Sequence, residues 1–486
     1  MTAPWDLVVL GGGTAGMVGA KNAAGFGARV LLVESARTGG DCLWTGCVPS
    51  KSLLAAAHAA AVGRKSGAMG ITYAEPQVDF AAVMKHVRSV IAHIEPVDSP
   101  ETLRDEGVEV LAGYGVLTGP TSLQVTEPSV GSATPVIHDI EFSQLLLATG
   151  ANPAIPPIDG LADAHPLTSD SVWDLTELPG RLAILGGGSI GCELGQAFAR
   201  LGADVTIVEG ESRLIPREDE KAAALLTAAL EADGVTVRTG AKVTRVSVPG
   251  EAGGSLFLDD DSAVDFDRLL VAVGRSPRTK GIGLEAAGVE VGERGMVTVD
   301  DLFRTTNSRI WAAGDLTGHA QFTHLAGNHG SAAASNAVLG TRRKAPSAVP
   351  RVTFTDPEIA GVGVSTQDVP KGMKRVVIEH AEVDRAVAEG QLNGYTSIVF
   401  DKGGTIMGAT VVGPRAGESL GELTLAVTKG LKTRDLAGVV HPYPTYNDGP
   451  WKAALADVSE RLASPLADRA IGALSTVRQQ WVKRRP

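Results

Sequence analysis

Short apolar runs that end on glycine clusters set the plan of the chain. Residues 6–10, Asp-Leu-Val-Val-Leu, have the character of a strand buried in a parallel sheet. Gly11-Gly12-Gly13-Thr14-Ala15-Gly16 follows at once and opens an alanine-rich helical stretch that stops near Gly27. Residues 29–33 read as a second apolar strand with Glu34 at its end. The same succession returns later: Leu182 to Leu185, then Gly186-Gly187-Gly188-Ser189-Ile190-Gly191, a helix to Gly202, and a strand ending in Glu209. The two units align at a constant offset of 175 residues, Gly11 on Gly186 and Glu34 on Glu209.

Strand, G-x-G-x-x-G turn, helix, strand, acid is the order of a dinucleotide fold, in which backbone amides and a helix N-terminus hold a pyrophosphate. Gly11, Gly13 and Gly16 form the first such turn, and Gly186, Gly188 and Gly191 the second. Glu34 and Glu209 stand where an acid bonds a ribose hydroxyl. One glycine turn is weak evidence, because such turns also arise for purely architectural reasons. Its recurrence at one spacing points to two dinucleotide sites.

Between and beyond these units, residues 52–95 look helical, with an amphipathic run from Phe80 to Ile94. Residues 107–145 are strand-like with turns and end in Leu145-Leu146-Leu147-Ala148-Thr149-Gly150. The proline-rich Asn152 to Pro157 reads as a crossing between domains. Residues 265–274, ending Val271-Ala272-Val273-Gly274, resemble the 145–150 strand and leave a second trace of duplication.

Composition narrows the picture. A chain of 486 residues holds roughly three domains of about 150 residues. Its 44% hydrophobic and 20% charged residues are ordinary for a soluble protein. A formal charge of −11 argues against general nucleic-acid binding. Met1-Thr2-Ala3-Pro4 runs into a strand with no visible signal peptide, and no apolar run approaches the roughly 20 residues that span a bilayer, so a cytoplasmic protein is expected.

Two of the three cysteines, Cys42 and Cys47, lie just beyond Glu34. On an ideal helix a five-residue step turns about 140°, so their sulfurs meet only if the backbone is distorted, for which Gly46 and Pro49 are suited. A disulfide there would close a short, reducible loop of catalytic type. Lys51 follows Cys47 by four residues, on the same face of a helix starting near Pro49, where cation and helix N-terminus both favour the Cys47 thiolate. A pair of reduced, buried cysteines is the other reading. Two nucleotide sites beside a reactive pair suggest an electron path, with a flavin at the first site and a nicotinamide at the second.

These motifs together resemble the flavoprotein disulfide reductases, the family that includes dihydrolipoamide dehydrogenase, glutathione reductase and mercuric reductase. The resemblance covers residues 5 to about 458 and is carried most specifically by Gly40-Asp-Cys42-Leu-Trp-Thr-Gly-Cys47-Val-Pro-Ser-Lys51. Ala148-Thr149-Gly150, Gly274-Arg275 and Ala313-Gly314-Asp315 match its further nucleotide motifs. It implies an α/β fold with two Rossmann-like dinucleotide-binding domains and a C-terminal α+β dimerisation domain. The implied boundaries are 1–152 with 275–345 for FAD, 153–274 for NAD(P), 346–459 for dimerisation, and 460–486 for a helical tail.

By the same resemblance Cys47 is the thiolate facing the flavin and Cys42 the thiol that attacks substrate. Gly40, Thr149 and Gly150 belong to the FAD site, Asp315 bonds the ribitol, His324 starts the helix beneath the flavin, Gly274 belongs to the NAD(P) site, and Lys51 pairs with Glu193. Cys192 reads as a small core residue. A homodimer follows by analogy, the dimerisation domain completing the partner subunit's active site.

The chain departs from the family in three places. Where His-Pro-Thr-x-x-Glu is usual, it reads His441-Pro442-Tyr443-Pro444-Thr445-Tyr446-Asn447-Asp448, so Tyr443 replaces the histidine and Asp448 the glutamate. A tyrosine is a poor base at neutral pH, which puts exchange with lipoamide or glutathione in doubt; His441 either reaches the cysteines from an altered loop or is structural. Tyr443 and Asp384-Arg385-Ala386 resemble mercuric reductase, yet neither its vicinal C-terminal cysteines nor its N-terminal metal-binding domain is expected here. Asp41 stands where many relatives have threonine near the flavin pyrophosphate, and must point away from phosphate or meet a cation. In the tail, Leu466, Ile471, Leu474, Val477 and Trp481 line one helical face before Lys483-Arg484-Arg485, expected to pack on its own dimer rather than on a membrane surface.

The reading that results is an FAD-dependent pyridine nucleotide-disulfide oxidoreductase: NADH reduces the Cys42–Cys47 disulfide through the flavin, and a small-molecule acceptor is reduced in turn. Glu209 favours NADH, because a carboxylate repels a 2′-phosphate, while Arg213 keeps NADPH open. Direct electron transfer from flavin to a quinone, an oxidant or a metal ion is the alternative within the enzyme class, and a flavin-based redox-sensing binding protein is the alternative outside it. No resident metal is expected.

Overall fold

A computed structural model describes residues 4–128, 135–250 and 253–484. Met1–Ala3 and Arg485 of the sequence reading lie outside the described residues. The chain divides into two compact units, Met1–Ser212 with Leu230–Pro346, and Arg213–Ala229 with Ser347–Pro486.

In the first unit the apolar runs become adjacent parallel strands. Val108–Ala112, Val30–Glu34, Trp5–Leu10, Ile137–Leu147 and Ile310–Ala312 lie side by side in that order. Leu7, Val8 and Val9 are fully buried because helices cover one face and further chain the other. The first half of Ile137–Leu147 also pairs antiparallel with Ser122–Thr126, which pairs with Tyr114–Gly119. The chain therefore leaves Trp5–Leu10 toward one side of the sheet and returns on the other, which opens a crevice at the strand's carboxyl end.

The plan repeats. Thr236–Thr239, Asp204–Glu209, Arg181–Leu185 and Arg268–Val271 form a four-stranded parallel sheet. Val243–Ser247, Gly254–Leu258 and Ala263–Phe266 follow as an antiparallel meander. The two sheets are joined through Ala151–Pro153 and Arg275–Pro277, which pair antiparallel.

In both turns the third glycine is required by contact. A Cβ on Gly16 would lie 1.8 Å from the Gly11 carbonyl oxygen, and one on Gly191 would lie 2.0 Å from that of Gly186. Gly11 and Gly186 themselves have φ of 111° and 113°, in the left-handed region.

The second unit is α+β. Arg351–Thr353, Glu358–Gly363, Ile406–Gly413, Tyr395–Phe400 and Lys374–Glu379 form an antiparallel sheet in that order. The helices Ala416–Lys429 and Asp448–Leu462 pack on it around Ile398, Phe400, Leu420 and Leu423.

Local boundaries differ from the sequence reading for identifiable reasons. The stretch 52–95 is not continuous helix: Cys47–Lys65 and Phe80–Ile94 are separated by extended chain through Pro76, and Asp79 restarts the helix by accepting from the Ala82 amide at 3.0 Å. The helix after the cysteine motif begins at Cys47 rather than Pro49, because Pro49 falls in the first turn, where no amide donor is needed. The second strand is Val30–Glu34, one residue later than 29–33. Residues 460–462 belong to Asp448–Leu462, and the separate tail helix is Pro465–Lys483. Among the described residues no helix is long and apolar enough to cross a membrane.

Candidate active site

Cys42 sits in the short helix Gly40–Trp44 and Cys47 opens the helix Cys47–Lys65. Gly46 between them leaves helical geometry (φ −119°, ψ −109°), and a Cβ there would come within 2.7 Å of the Asp41 carbonyl oxygen. This kink brings the two thiols together as a dithiol rather than a bonded pair.

The sulfurs are not equivalent. Cys47 is drawn down from its ordinary 9.0 to about 6, first by the hydrogen bond from Cys42, then by the Thr323 hydroxyl and the Lys51 charge, against the opposing effect of burial. The same hydrogen bond, with burial, pushes Cys42 far above its usual range. Thr323 Oγ1 lies 3.2 Å from Cys47 Sγ. Lys51 Nζ lies 2.9 Å from Glu193 Oε2 and 3.1 Å from Ser50 Oγ. The pair therefore holds one proton on Cys42 and negative charge on Cys47 at neutral pH.

A pH dependence follows. In the reduced protein the Cys47 thiolate is present above about pH 6 and is lost as pH falls through that value. Thr323→Val keeps the side-chain shape but removes a donor to a charged acceptor, worth about 1.5–3 kcal/mol, so the midpoint should rise by about one to two pH units. Titration of the thiolate absorbance is the check, and an unmoved midpoint would remove Thr323 from this account. Nothing in the sequence marked Thr323; it is one residue before His324, whose exposed ring stacks on Phe322 instead.

Gly40 lies directly against the first glycine turn, since a Cβ on it would be 2.6 Å from the Gly13 Cα. The dithiol is thus fixed at the first dinucleotide crevice. Glu34 accepts from the Gly12 amide at 2.6 Å and the Ala36 amide at 2.7 Å. Glu209 accepts from the Gly187 amide at 2.6 Å and the Glu211 amide at 2.8 Å. The two turns repeat even in these bonds.

Asp41 meets cations. Its carboxylate takes a hydrogen bond from Arg275 and lies 3.4 Å from Arg278 Nη2, while Arg275 Nε lies 3.5 Å from Asp315 Oδ2. Burial holds Asp315 above the usual carboxylate range, with Arg275 opposing. Thr149 Oγ1 donates to the Arg278 carbonyl at 2.7 Å, and the Arg278 amide donates to the Gly150 carbonyl at 2.9 Å. Gly274 (φ 135°) turns the chain into this arginine segment. Cys192 is fully buried, its thiol 3.3 Å from the Gly187 carbonyl oxygen.

The remaining candidates belong to the second unit. Tyr443 is 70% exposed and donates its hydroxyl to the Asp384 carboxylate, which holds that hydroxyl above its usual range. His441 has both ring nitrogens on acceptors, Nδ1 3.0 Å from the Val439 carbonyl oxygen and Nε2 2.9 Å from Glu422 Oε1. Asp448 is buried and raised by desolvation, with Oδ2 lacking a hydrogen-bond partner among the described residues. Asp384, not Asp448, is the carboxylate on Tyr443.

Two glycine cradles with acid-capped turns, a dithiol carrying one thiolate, and a lysine–glutamate pair beside it define an electron-transferring flavoprotein of the two-dinucleotide class. The chain belongs to the pyridine nucleotide-disulphide oxidoreductase family, whose signature matches residues 5–330, with the family's dimerisation domain at 349–454. It is 36% identical to mercuric reductase from Streptomyces lividans over 449 residues, covering 91% of this chain and 94% of the relative. It is 35% identical to dihydrolipoyl dehydrogenase from Thermus scotoductus, covering 93% and 96%. Among solved structures it superposes on LpdA from Mycobacterium tuberculosis with a TM-score of 0.83 at 28% identity, covering 94% and 99% of the two chains. A Cu(II) complex of the HOCl-induced flavoprotein disulfide reductase RclA from Escherichia coli gives a TM-score of 0.79 at 28% identity, covering 91% and 98%.

The protein is accordingly an FAD-dependent NAD(P)H oxidoreductase of the disulfide type, and its dimerisation domain makes it a homodimer. The residues present fit both cofactors, because each glycine turn, Gly11–Gly16 and Gly186–Gly191, closes tightly on a helix N-terminus, with Gly16 and Gly191 at positions that admit no Cβ.

Proposed function

We propose that this enzyme takes electrons from NADH and delivers them, through the Cys42–Cys47 pair, to a thiophilic metal ion, for which Cu(II) is the probe. The observation that carries this reading is the Tyr443–Asp384 hydrogen bond. Exchange with a small disulfide requires a proton acceptor at the thiols. Tyr443 is kept protonated by Asp384, and the His441 ring has no free nitrogen to offer. A metal ion needs only the thiolate. Mercuric reductases among the relatives and the Cu(II) complex of RclA support the same class.

FAD, when bound, carries the electron pair between nicotinamide and sulfur. NADH and the disulfide yield NAD⁺, one thiol and one thiolate. The dithiol returns to the disulfide as two Cu(II) become two Cu(I), releasing the single thiol proton. Cys47 is the thiolate beside the flavin, Cys42 the thiol that meets the acceptor, and Glu193 holds the Lys51 ammonium in place to favour the thiolate. Tyr443, His441 and Asp448 complete the partner subunit's site. NADH is favoured over NADPH: the Glu209 carboxylate sits on its own turn, and Arg213 is engaged by the carbonyls of Pro216 and Glu218. A cytoplasmic setting suits cysteines that work as a dithiol.

Turnover with Cu(II), lipoamide and glutathione disulfide under NADH tests the proposal. Cu(II) reduction, read with a Cu(I) chelator, should be the fastest. Tyr443→His should raise lipoamide reduction by about 10²-fold while Cu(II) reduction stays within about threefold. Wild-type turnover that is faster with lipoamide than with Cu(II) would contradict it.

A further inference from the structure

The loop between the two cysteines is held from outside itself. Trp173 is buried, and its indole Nε1 donates to the Thr45 carbonyl at 2.8 Å and to the Ser169 carbonyl at 2.7 Å. We infer that Trp173 is a positioning residue for the disulfide chemistry: its grip on Thr45 keeps the Cys42–Cys47 loop in one shape while the two sulfurs bond and part. The inference rests on the dithiol lying on the electron path, and not on which acceptor it serves.

The local sequence leaves the Thr45 carbonyl in need of a donor. Thr45 caps the short helix Gly40–Trp44, and the last carbonyls of a helix have no partner within it. The amide four residues on, which a helical carbonyl would take, belongs to Pro49 and carries no hydrogen. The next carbonyl, that of Gly46, is already supplied, since the Ser50 amide donates to it at 3.0 Å. Thr45 and Gly46 share the peptide bond at which the chain leaves helical geometry, so a donor on the Thr45 oxygen fixes the orientation of the kink itself. The Thr45 hydroxyl is held from the same side, 3.5 Å from Asp170 Oδ1.

The grip has a firm base. Leu167, six residues before Trp173, pairs with the strand Arg268–Val271. Its amide donates to the Leu269 carbonyl at 2.7 Å, and its carbonyl accepts from the Val271 amide at 2.8 Å. Ser171 Oγ accepts from the Thr168 amide at 3.0 Å, and the Val172 amide donates to the Thr168 carbonyl at 3.0 Å, which closes the turn that carries the indole. Trp173 therefore fastens the redox loop to the sheet that bears the second glycine turn. A loop fixed at its kink leaves only the cysteine side chains to rotate when the S–S bond forms, so each sulfur stays at high effective concentration for the other. The same fixed spacing preserves the hydrogen bond from Cys42 that favours the Cys47 thiolate.

Two substitutions in the holoenzyme separate positioning from packing. Trp173→Phe keeps a buried aromatic ring and removes the donor. Trp173→His is smaller and more polar, but its Nε2 takes the place of the indole Nε1 when the five-membered rings are superposed. In dithiothreitol redox buffers, read by alkylation of Cys42 and Cys47, Trp173→Phe should shift the equilibrium about tenfold toward the dithiol, or about 30 mV for a two-electron couple. Trp173→His should shift it by less than about threefold. The Cys47 midpoint should rise by about one pH unit in the first variant and stay near about 6 in the second. Flavin content should match the parent protein in both. Neither readout involves Cu(II), so failure of the metal-ion reading would leave this test intact. Unmoved values in Trp173→Phe, or a histidine variant that departs from the parent as far as the phenylalanine one, would make Trp173 a packing residue and overturn the inference. Should Trp173→Phe fail to fold, parent-like values in Trp173→His uphold the inference, and a tenfold shift there overturns it.

Discussion

Replacing Cys42 with serine is expected to lower NADH-driven acceptor reduction by at least about 10³-fold, because it removes the sulfur that bonds the acceptor and closes the disulfide. Serine cannot form the disulfide, so no electron pair is stored on sulfur. Its hydroxyl can still donate to Cys47, and Thr323 at 3.2 Å and Lys51 remain, so the Cys47 thiolate should survive although turnover is lost. The paired measurement is steady-state turnover with Cu(II) and the pH titration of Cys47 in the same variant. Retention of most of the turnover would mean that the flavin reduces the acceptor directly and that the cysteines stand aside.

Gly16→Ala and Gly191→Ala should separate the two nucleotide sites. Each places a methyl about 2 Å from a carbonyl oxygen of its own turn, 1.8 Å and 2.0 Å respectively. The struck residues, Gly11 and Gly186, cannot retreat, because a Cβ on either would already lie 2.4 or 2.6 Å from the neighbouring strand's carbonyl at Ala148 or Ala272. The cost should be at least ~3 kcal/mol at each turn. In the first turn, which carries the core of the unit, the result should be flavin-free or insoluble protein. In the second, flavin should be retained, and the KM for NADH should rise by about 10²-fold while chemical reduction of the dithiol is unchanged. Normal NADH kinetics in Gly191→Ala would place the nicotinamide elsewhere.

What the sequence disclosed follows from what is local. The two turns were legible because strand, glycines, helix and acid lie within a few dozen residues, and their recurrence at one spacing cannot come from architecture alone. The cysteine motif was legible for the same reason, down to Gly46 as the kink. Contacts between distant segments were visible only as needs: Asp41 called for a cation, but Arg275 and Arg278 lie 234 and 237 residues away. Thr323 left no signal, since a threonine opening a helix is common and only folding brings it to Cys47. The Tyr443–Asp384 bond joins residues 59 apart, both noted in sequence but not as partners. The break at 71–79 was missed because alanine-rich and amphipathic stretches flank it.

The most direct test is anaerobic titration of the purified holoenzyme with NADH, following the visible spectrum. A long-wavelength band, from charge transfer between the Cys47 thiolate and oxidised flavin, should grow to its maximum at two electrons per subunit and fade as pH drops through about 6. Bleaching of the flavin without that band would show that the dithiol is off the electron path and would contradict the account.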